Sequence, residues 1–302
     1  MLAPSGEQLE LALGEQRAVV VEVGGGLRVY EAGGGDLVDA YEATELSTSG
    51  RGQVLIPWPN RVQGGNYEFG GSRFQLALDE PSAGNAIHGL VRWVAWTVAE
   101  REASRVVVEH KLHPQPGYPF ALALSIEYAL TPAGLRVRTT ATNVGPGPCP
   151  FGSGAHPYLT VGTAPVDSVL LQVPARTVLH ADEHGTPTTR APVDGTEYDF
   201  RHARPIGATR FDTAFTGLER DDDGLARVEL RRPDGEGGLA LWVDESYGYL
   251  MLYTGDDRPD VNRRSLAVEP MTCPPNAFRS GDDVIVLEPG GSFEGAWGIS
   301  PL

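Results

Sequence analysis

One carboxylate, Glu269, lies in the segment of the chain best suited to proton chemistry. It follows the apolar run Leu266-Ala267-Val268 and precedes Pro270, with two further prolines at positions 274 and 275. Proline fixes φ and has no amide hydrogen, so the pattern predicts a strand that ends at Glu269 and does not continue as a helix. A carboxyl group among apolar neighbours is partly desolvated, which raises its pKa and suits it to proton transfer near neutral pH. The alternative role is a structural salt bridge to an arginine.

Two histidines and an arginine in other loops could join this carboxylate. The loops read Asn85-Ala86-Ile87-His88-Gly89-Leu90, Gly154-Ala155-His156-Pro157-Tyr158 and Pro57-Trp58-Pro59-Asn60-Arg61. Taken singly, each histidine is better explained by ordinary hydrogen bonding in a protein core. Together with Glu269 they have the composition of an acid–base site.

The remaining polar motifs lack the spacing of a metal or cofactor site. The triple glycines at 24–26 and 33–35 do not have the spacing of a phosphate-binding loop, and both predict hairpin turns. The acidic run Glu219–Asp223 lacks the calcium-loop pattern. Cys149 and Cys273 form neither a disulfide framework nor a zinc motif. We therefore expect no metal and no cofactor.

Short strands must position these loops, because apolar residues recur at every second position. The clearest run is Ala121–Leu130, in which Leu122, Leu124, Ile126, Tyr128 and Leu130 share one face. Further strands are predicted at Ala18–Glu22, Leu27–Tyr30, Arg73–Leu78, Arg105–His110, Leu135–Thr142, Val169–Val173, Arg227–Arg231, Leu239–Val243, Tyr249–Tyr253 and Val284–Leu287. The 38 glycines and 24 prolines separate them at intervals typical of an all-β sandwich or barrel. The only helical expectation is one short turn within Val38–Leu46.

Size and charge limit the other possibilities. The chain has 302 residues and no linker or repeat, so we expect one domain over residues 1–302. Its net charge of −16 offers no basic surface for nucleic acid or an anionic membrane. No apolar run has transmembrane length, and the N-terminus lacks the pattern of a signal peptide, so the cytoplasm is the expected location.

The order of the motifs resembles the aldose 1-epimerases, or mutarotases. The matching segments are Pro59-Asn60-Arg61-Val62, Gly65-Asn66-Tyr67-Glu68-Phe69, Asn85–Gly89, His156-Pro157-Tyr158-Leu159, Phe211-Asp212 and Glu269. This resemblance implies a single large antiparallel β-sandwich with a monosaccharide in an open cleft on one sheet. It also implies that Glu269 is the catalytic base, His156 the acid and His88 a polarising partner. It further implies that Arg61 and Asp212 bind sugar hydroxyls. Asn60 and Trp93 are further candidate substrate-binding residues, Trp93 as a flat apolar wall for the sugar face unless it packs in the core.

The walls of the sugar site differ from those of the galactose-acting members. This chain has Ile56-Pro57-Trp58-Pro59-Asn60-Arg61 where they have Gly-Arg-x-Ala-Asn-Arg, and Leu90 where they have a second glycine. The chain is more similar to the subgroup that includes sulfoquinovose mutarotase-like proteins. Arg61, Arg92 and Arg279 are candidate partners for an anionic sugar.

Three functions fit these residues. A mutarotase takes a proton from the anomeric hydroxyl, gives one to the ring oxygen and closes the ring as the other anomer. A glycoside hydrolase could use Asp212 and Glu269 as its carboxylate pair, but it would release new reducing ends. A carbohydrate-binding protein would bind sugar without accelerating anomerisation. The pairing of His156 with Glu269 favours the mutarotase.

Overall fold

Alternating apolar and polar residues fold this chain into an almost entirely β structure. The computed structural model describes residues 3–162 and 165–302. The first strands are β1 (Gln8–Leu13), β2 (Gln16–Val21), β3 (Leu27–Ala32), β4 (Gly35–Asp36), β5 (Val54–Leu55), β6 (Arg61–Gln63), β7 (Asn66–Phe69), β8 (Ser72–Gln75), β9 (Asn85–Ile87), β10 (Thr97–Arg101), β11 (Arg105–Leu112), β12 (Leu122–Thr131) and β13 (Gly134–Asn143). The others are β14 (Cys149–Phe151), β15 (Gly154–Ala155), β16 (Tyr158–Leu159), β17 (Leu170–Gln172), β18 (Ala175–Ala181), β19 (Pro187–Pro192), β20 (Arg204–Pro205), β21 (Asp212–Leu218), β22 (Ala226–Arg231), β23 (Gly238–Val243), β24 (Tyr249–Tyr253), β25 (Leu266–Met271), β26 (Ile285–Leu287) and β27 (Ser292–Pro301). A 3₁₀ turn at Val166–Ser168 and one short helix, α1 (Ala277–Ser280), are the helical segments of the described residues.

Two large sheets dominate the architecture. The first has nine strands in the order β10-β11-β12-β13-β27-β23-β22-β17-β20. The second has eight strands in the order β19-β18-β21-β24-β25-β15-β5, with β16 also paired to β25. The named strands pair antiparallel throughout. Buried side chains of both sheets belong to one large hydrophobic cluster, so the predicted all-β antiparallel sandwich is confirmed.

The two faces of the eight-stranded sheet have different surroundings. Leu250, Leu252 and Val268 point into the main core. Residues at alternate positions, including Met251, form a separate small cluster on the opposite face. Because successive side chains of a strand point to opposite faces, Glu269 lies on this outer face, away from the main core.

One local prediction is wrong. Strand β25 does not end at Glu269 but continues through Pro270 to Met271. The amides of Val268 and Thr272 donate to the carbonyls of Pro157 and Ser153 in the neighbouring segment. Pro270 lies between these two donors, so the place of its missing amide hydrogen faces the break between β15 and β16. The sheet therefore tolerates the proline. Val38–Leu46 forms the predicted short turn, in which the amide of Glu45 donates to the carbonyl of Glu42 at 2.9 Å, but it forms no helix. Instead, α1 begins at Ala277, after Asn276 adopts a left-handed conformation with φ of 66°.

None of the helical segments in the described part of the chain has the length and apolar character needed to span a bilayer.

Candidate active site

The outer face of the eight-stranded sheet carries a cavity of about 300 Å³. It is lined by every predicted catalytic and substrate-binding residue, namely Asn60, Arg61, His88, Trp93, His156, Asp212 and Glu269. These residues come from five separate segments of the chain, and the sheet brings them to one place. Arg279, a candidate partner for an anionic sugar, lines a different cavity beside Tyr67 and Phe74.

Glu269 is held in the middle of β25, where only 2% of its surface is exposed. Burial raises the pKa of its carboxyl group well above the ordinary value, the negative charge of Asp212 raises it further, and Arg61 opposes this rise. Its Oε2 atom is buried and has no hydrogen-bond partner among the described residues. Such an atom is costly to leave unpaired, so a ligand hydroxyl would stabilise it.

His156 lies between β15 and β16, with its Nε2 atom 3.3 Å from Oε1 of Glu269. Its ring stacks on Tyr158 at 5.0 Å between centroids. A β-carbon at Gly50 would lie 2.6 Å from Cδ2 of the ring, so only glycine fits there. Burial lowers the pKa of His156 to about 3, and the charges of Arg92 and Arg61 also act against protonation. The imidazole is therefore fixed in position and resists a positive charge.

His88 is a neutral donor whose tautomer is fixed by the backbone. Its Nδ1 atom accepts the amide hydrogen of Asn60 at 3.2 Å, which places the ring proton on Nε2. In return, the His88 amide donates to the carbonyl of Asn60 at 2.8 Å. Burial holds the pKa of His88 well below its ordinary value, and His156 lowers it further. Its ring centroid lies 5.3 Å from that of His156.

This tautomer also bears on metal binding. Ligand atoms of His88, His156 and Glu269 lie within 4.8 Å of one another, a distance at which they could surround an ion. A metal-bound histidine normally carries its proton on the nitrogen that does not touch the metal. In His88, Nδ1 is occupied by the Asn60 amide and Nε2 carries the proton. The cluster therefore fits a hydrogen-bonded ligand better than a metal.

Arg61 lines the cavity next to Asn60, whose amide contacts His88. The Nε atom of Arg61 donates to both carboxylate oxygens of Glu80 at 3.1 and 3.0 Å, and Nη1 lies 3.4 Å from Oδ1 of Asp212. Burial opposes its charge, but Asp212 and Glu80 outweigh this effect, so the pKa of Arg61 is raised. The Asp212 side chain remains 48% exposed and open to a ligand.

Asn60 and Trp93 occupy different positions around the cavity. Asn60 is buried with φ of 54°, and its side-chain Oδ1 accepts the amide hydrogen of Arg61 at 2.9 Å. The backbone amide of Asn60 also contacts Nδ1 of His88 and so positions this histidine, a role that the sequence did not indicate. Trp93 stands at the rim and is 50% exposed, so its ring is available to a ligand.

Several lining residues were missed or given no role by the sequence reasoning. Glu80 is ion-paired to Arg61 and Asp79 is ion-paired to Arg92, and no sequence motif marks either carboxylate. Arg92 was considered only as a partner for an anionic sugar, but here it also approaches both histidines. The segment Tyr253–Arg258 and the loop around Gly50 contribute further lining atoms, and neither has a spacing that could have identified it.

The comparisons with known proteins agree with this arrangement. A protein-family model described as aldose 1-epimerase matches residues 7–300. The Escherichia coli K12 protein YihR, described as uncharacterized, is 39% identical over 287 residues, which cover 95% of this chain and 90% of YihR.

Solved structures show the same fold at low identity. The aldose epimerase homologue of C. elegans is 17% identical, with a TM-score of 0.84 over 97% of this chain and 98% of that one. The galactose 1-epimerase of Lactobacillus acidophilus NCFM is 21% identical, with a TM-score of 0.81 over 97% and 93% of the two chains. Because the family model spans residues 7–300, this chain belongs to the aldose 1-epimerase family, which is a family of isomerases.

Proposed function

We propose that this aldose 1-epimerase carries out its reaction in the cavity described above, with Glu269 as the base and His156 as the acid. The observation that carries the proposal is the direct contact of 3.3 Å between Nε2 of His156 and Oε1 of Glu269. Both side chains are buried, and both resist their charged forms, so together they hold one transferable proton. Entering sugar hydroxyls donate hydrogen bonds to the carboxylate, which favours placing that proton on His156.

The reaction then proceeds with a balanced exchange of protons. Glu269 removes the hydrogen from the anomeric hydroxyl while His156 delivers its proton to the ring oxygen, and the bond between C1 and the ring oxygen breaks. The open aldehyde rotates about the bond between C1 and C2. In closure, His156 takes back the proton of the C5 hydroxyl and Glu269 returns its proton to the new anomeric oxygen. The pair ends in its starting state.

His88, Arg61, Asp212 and Trp93 would hold the sugar during this exchange. The Nε2 proton of His88 is available to an oxygen that gains negative charge during ring opening. Arg61 and Asp212 offer a donor and an acceptor to ring hydroxyls. Trp93 offers an apolar face at the rim.

Exchange NMR between sugar anomers tests this assignment. Glu269→Gln keeps the shape of the side chain but removes the proton acceptor, and His156→Ala removes the acid. We expect each change to lower the rate by about 10²–10⁴-fold, because general acid–base assistance is worth that much. Sugar affinity in Glu269→Gln should change far less. A folded variant with the wild-type rate would refute the role of that residue.

Hydrolysis is less well supported by this geometry. A glycosidase needs two carboxyl groups on either side of the scissile bond. Here Asp212 is ion-paired to Arg61, and the closest titratable partner of Glu269 is a histidine. Release of new reducing ends from a glycoside would favour the hydrolase instead.

We further propose that the substrate carries an anionic group near C6, as its resemblance to the sulfoquinovose mutarotase-like proteins suggests. Arg92 lines the cavity with only 11% of its side chain exposed, and its Nε atom has no partner among the described residues. Burial lowers the pKa of Arg92, so a further anion would stabilise its charge. We place the C6 group beside Arg92, which lines the cavity together with both histidines.

A panel of neutral and 6-anionic hexoses tests this specificity. Arg92→Gln should lower kcat/KM for a 6-phosphorylated or 6-sulfonated hexose by about 10–100-fold, which is the cost of a charged hydrogen bond. The same variant should affect glucose much less. Equal losses on both sugars would show that Arg92 only supports the fold.

The cytoplasm also remains our proposed location. Cys149 and Cys273 are both buried, free thiols, as is usual in a reducing compartment. Cell fractionation would test it, and recovery in the periplasm or the medium would contradict it.

A further inference from the structure

The loop that joins β4 to β5 holds His156 through several contacts. The amide of Gly52 donates to the carbonyl of His156 at 2.9 Å, and the carbonyl of Gln53 accepts the His156 amide hydrogen at 3.0 Å. At Gly50, a β-carbon would lie 2.6 Å from Cδ2 of the imidazole ring. The backbone and the ring of His156 therefore both depend on the shape of residues 50–53.

The same loop supports the aromatic ring that stacks on His156. The hydroxyl of Tyr158 donates to the carbonyl of Ser49 at 2.9 Å. The Tyr158 ring lies nearly parallel to the imidazole, with 13° between the planes and 5.0 Å between the centroids. A shift of Ser49 would therefore move the hydrogen-bond acceptor of Tyr158, and with it the surface on which the imidazole rests.

The backbone of this loop needs support from outside. Ser49 has φ of 54° although it is not a glycine, and Gly50 follows with φ of 75°. A residue with a β-carbon is unfavourable in the left-handed region, and it stays there only where surrounding contacts fix it. Ser49 has two such contacts, one at its carbonyl from Tyr158 and one at its side-chain hydroxyl.

Asp260, in the segment between β24 and β25, makes the contact with the hydroxyl. Its Oδ2 atom accepts from Oγ of Ser49 at 2.9 Å and from Oγ1 of Thr48 at 2.7 Å. Its own segment is anchored, because the next residue, Val261, is buried against Tyr158. Asp260 is not among the residues that line the catalytic cavity, so it would act without touching the sugar.

We propose that Asp260 is a positioning residue for the catalytic acid. By holding Thr48 and Ser49, it keeps Gly50 against the imidazole and keeps the Ser49 carbonyl within reach of Tyr158. The ring of His156 is then fixed beside Glu269 before a sugar arrives. This inference rests on the proposed function for the role of His156 as the acid.

A role in charge pairing is the alternative that a test must separate. Nη2 of Arg51, a side chain with only 8% of its surface exposed, lies 3.9 Å from Oδ2 of Asp260. Asp260→Asn removes this ion pair. Both loop hydroxyls donate to the same oxygen, so one amide carbonyl oxygen can still accept both of them. Asp260→Ala removes the ion pair and both hydrogen bonds.

Anomer-exchange kinetics of these variants give the first test. Asp260→Ala should lower kcat by about 100-fold with little change in KM, because a displacement of about 1 Å in a catalytic group costs that much. Asp260→Asn should keep most of the rate. The double variant Thr48→Val/Ser49→Ala should lose as much as Asp260→Ala, and adding Asp260→Ala to it should cost little more, because the three residues act as one unit.

Asp222→Ala is the matched control. Asp222 is exposed in the turn between β21 and β22, so its removal deletes one carboxylate without touching the loop and should leave the rate unchanged. Equal losses in Asp260→Asn and Asp260→Ala would show that the charge matters and would overturn the positioning role. A folded Asp260→Ala protein with the wild-type kcat would overturn it as well.

Proton NMR of the histidine rings tests the position of His156 without relying on activity. Stacking on Tyr158 should shift the His156 ring protons upfield, and Asp260→Ala should remove much of this shift while Asp260→Asn keeps it. The ring of His88 is held by Asn60 and should respond far less. Equal changes at both rings would mean that Asp260 only supports the fold. If His156→Ala keeps the wild-type exchange rate, the proposed function fails, and the ring shift still decides whether Asp260 positions His156.

Discussion

Glu269 occupies a position that opposes its own ionisation. The residue is buried in β25, beside a neutral histidine and within reach of the negative charge of Asp212. In the unfolded chain its carboxyl group returns to an ordinary pKa of about 4.3. Between that value and its raised folded value, the folded protein retains a proton that the unfolded chain has released. Stability therefore falls as the pH rises through this window.

Glu269→Gln should stabilise the protein while it lowers the rate of anomer exchange. Glutamine does not ionise in either state, so the variant escapes the pH-dependent loss. We expect its melting temperature to exceed that of the wild type at pH 7, by roughly 2–4 °C for each kcal/mol gained. The difference should shrink below about pH 4, where glutamate keeps its proton in both states. Thermal melts across this pH range measure it.

Glu109→Gln is a suitable control, because Glu109 is exposed in β11. It should change the melting temperature little at any pH. A Glu269→Gln protein that melts below the wild type at neutral pH would instead indicate a structural salt bridge.

On the acidic side of the pH–rate profile, the rate should begin to fall only at an unusually low pH. The reaction needs one proton on the Glu269–His156 pair. A second proton must go to His156, whose pKa burial lowers to about 3. We therefore expect the exchange rate to stay nearly constant from pH 7 down to about pH 5, without an inflection at the ordinary histidine value of about 6.5. The alkaline limb should report loss of the shared proton. A limb centred near pH 6.5 would contradict a buried pair.

The sequence identified the charged and imidazole residues of the site but not how they are held. His88, His156 and Glu269 were found because each stands in a stiff loop or beside proline and glycine. The tautomer of His88 could not be predicted, because it depends on a backbone amide of Asn60 from another segment. Glu80 was missed because its role arises only when folding brings Arg61 against it.

At the scale of elements, the loop that joins β4 to β5 supports the catalytic acid. Gly50 in this loop has φ of 75° and lies against the His156 ring. Gly50→Ala would place a β-carbon 2.6 Å from Cδ2, so the ring must shift. We expect kcat/KM to fall by about 100-fold, because a displacement of about 1 Å in a catalytic group costs that much.

Gly290→Ala provides the comparison for this effect. Gly290 has nearly the same φ, 76°, but nothing lies within 4 Å of a β-carbon there. The Gly290→Ala variant should lose some stability through backbone strain and keep its activity. Equal activity in the two variants would show that the loop does not position His156.

Strand periodicity predicted most elements well. Strand β24 has the predicted bounds, Tyr249–Tyr253, and β12 differs from its prediction by one residue at each end. The error at Pro270 has a physical origin. A proline ends a strand only if its missing donor faces a partner, and the break between β15 and β16 is a tertiary feature.

At the scale of the whole molecule, the strand order does not allow the chain to be cut into two sequential units. Strand β27 lies between β13 and β23 in the nine-stranded sheet, and β5 and β15 join the sheet that contains β18, β19, β21, β24 and β25. We propose that the chain unfolds as one cooperative domain. Melts followed by tryptophan fluorescence and by far-UV circular dichroism should coincide. Two separated transitions, or two stable proteolytic halves, would contradict this.

The position of β27 has a consequence for protein synthesis. Strand β13 ends at Asn143, and its partner β27 begins only at Ser292. While the ribosome makes the residues between them, the inner edge of β13 has open backbone donors and acceptors. Any sheet that β10 to β13 form before β27 is made has an unprotected edge, so we expect the need for chaperones to be greatest at this stage.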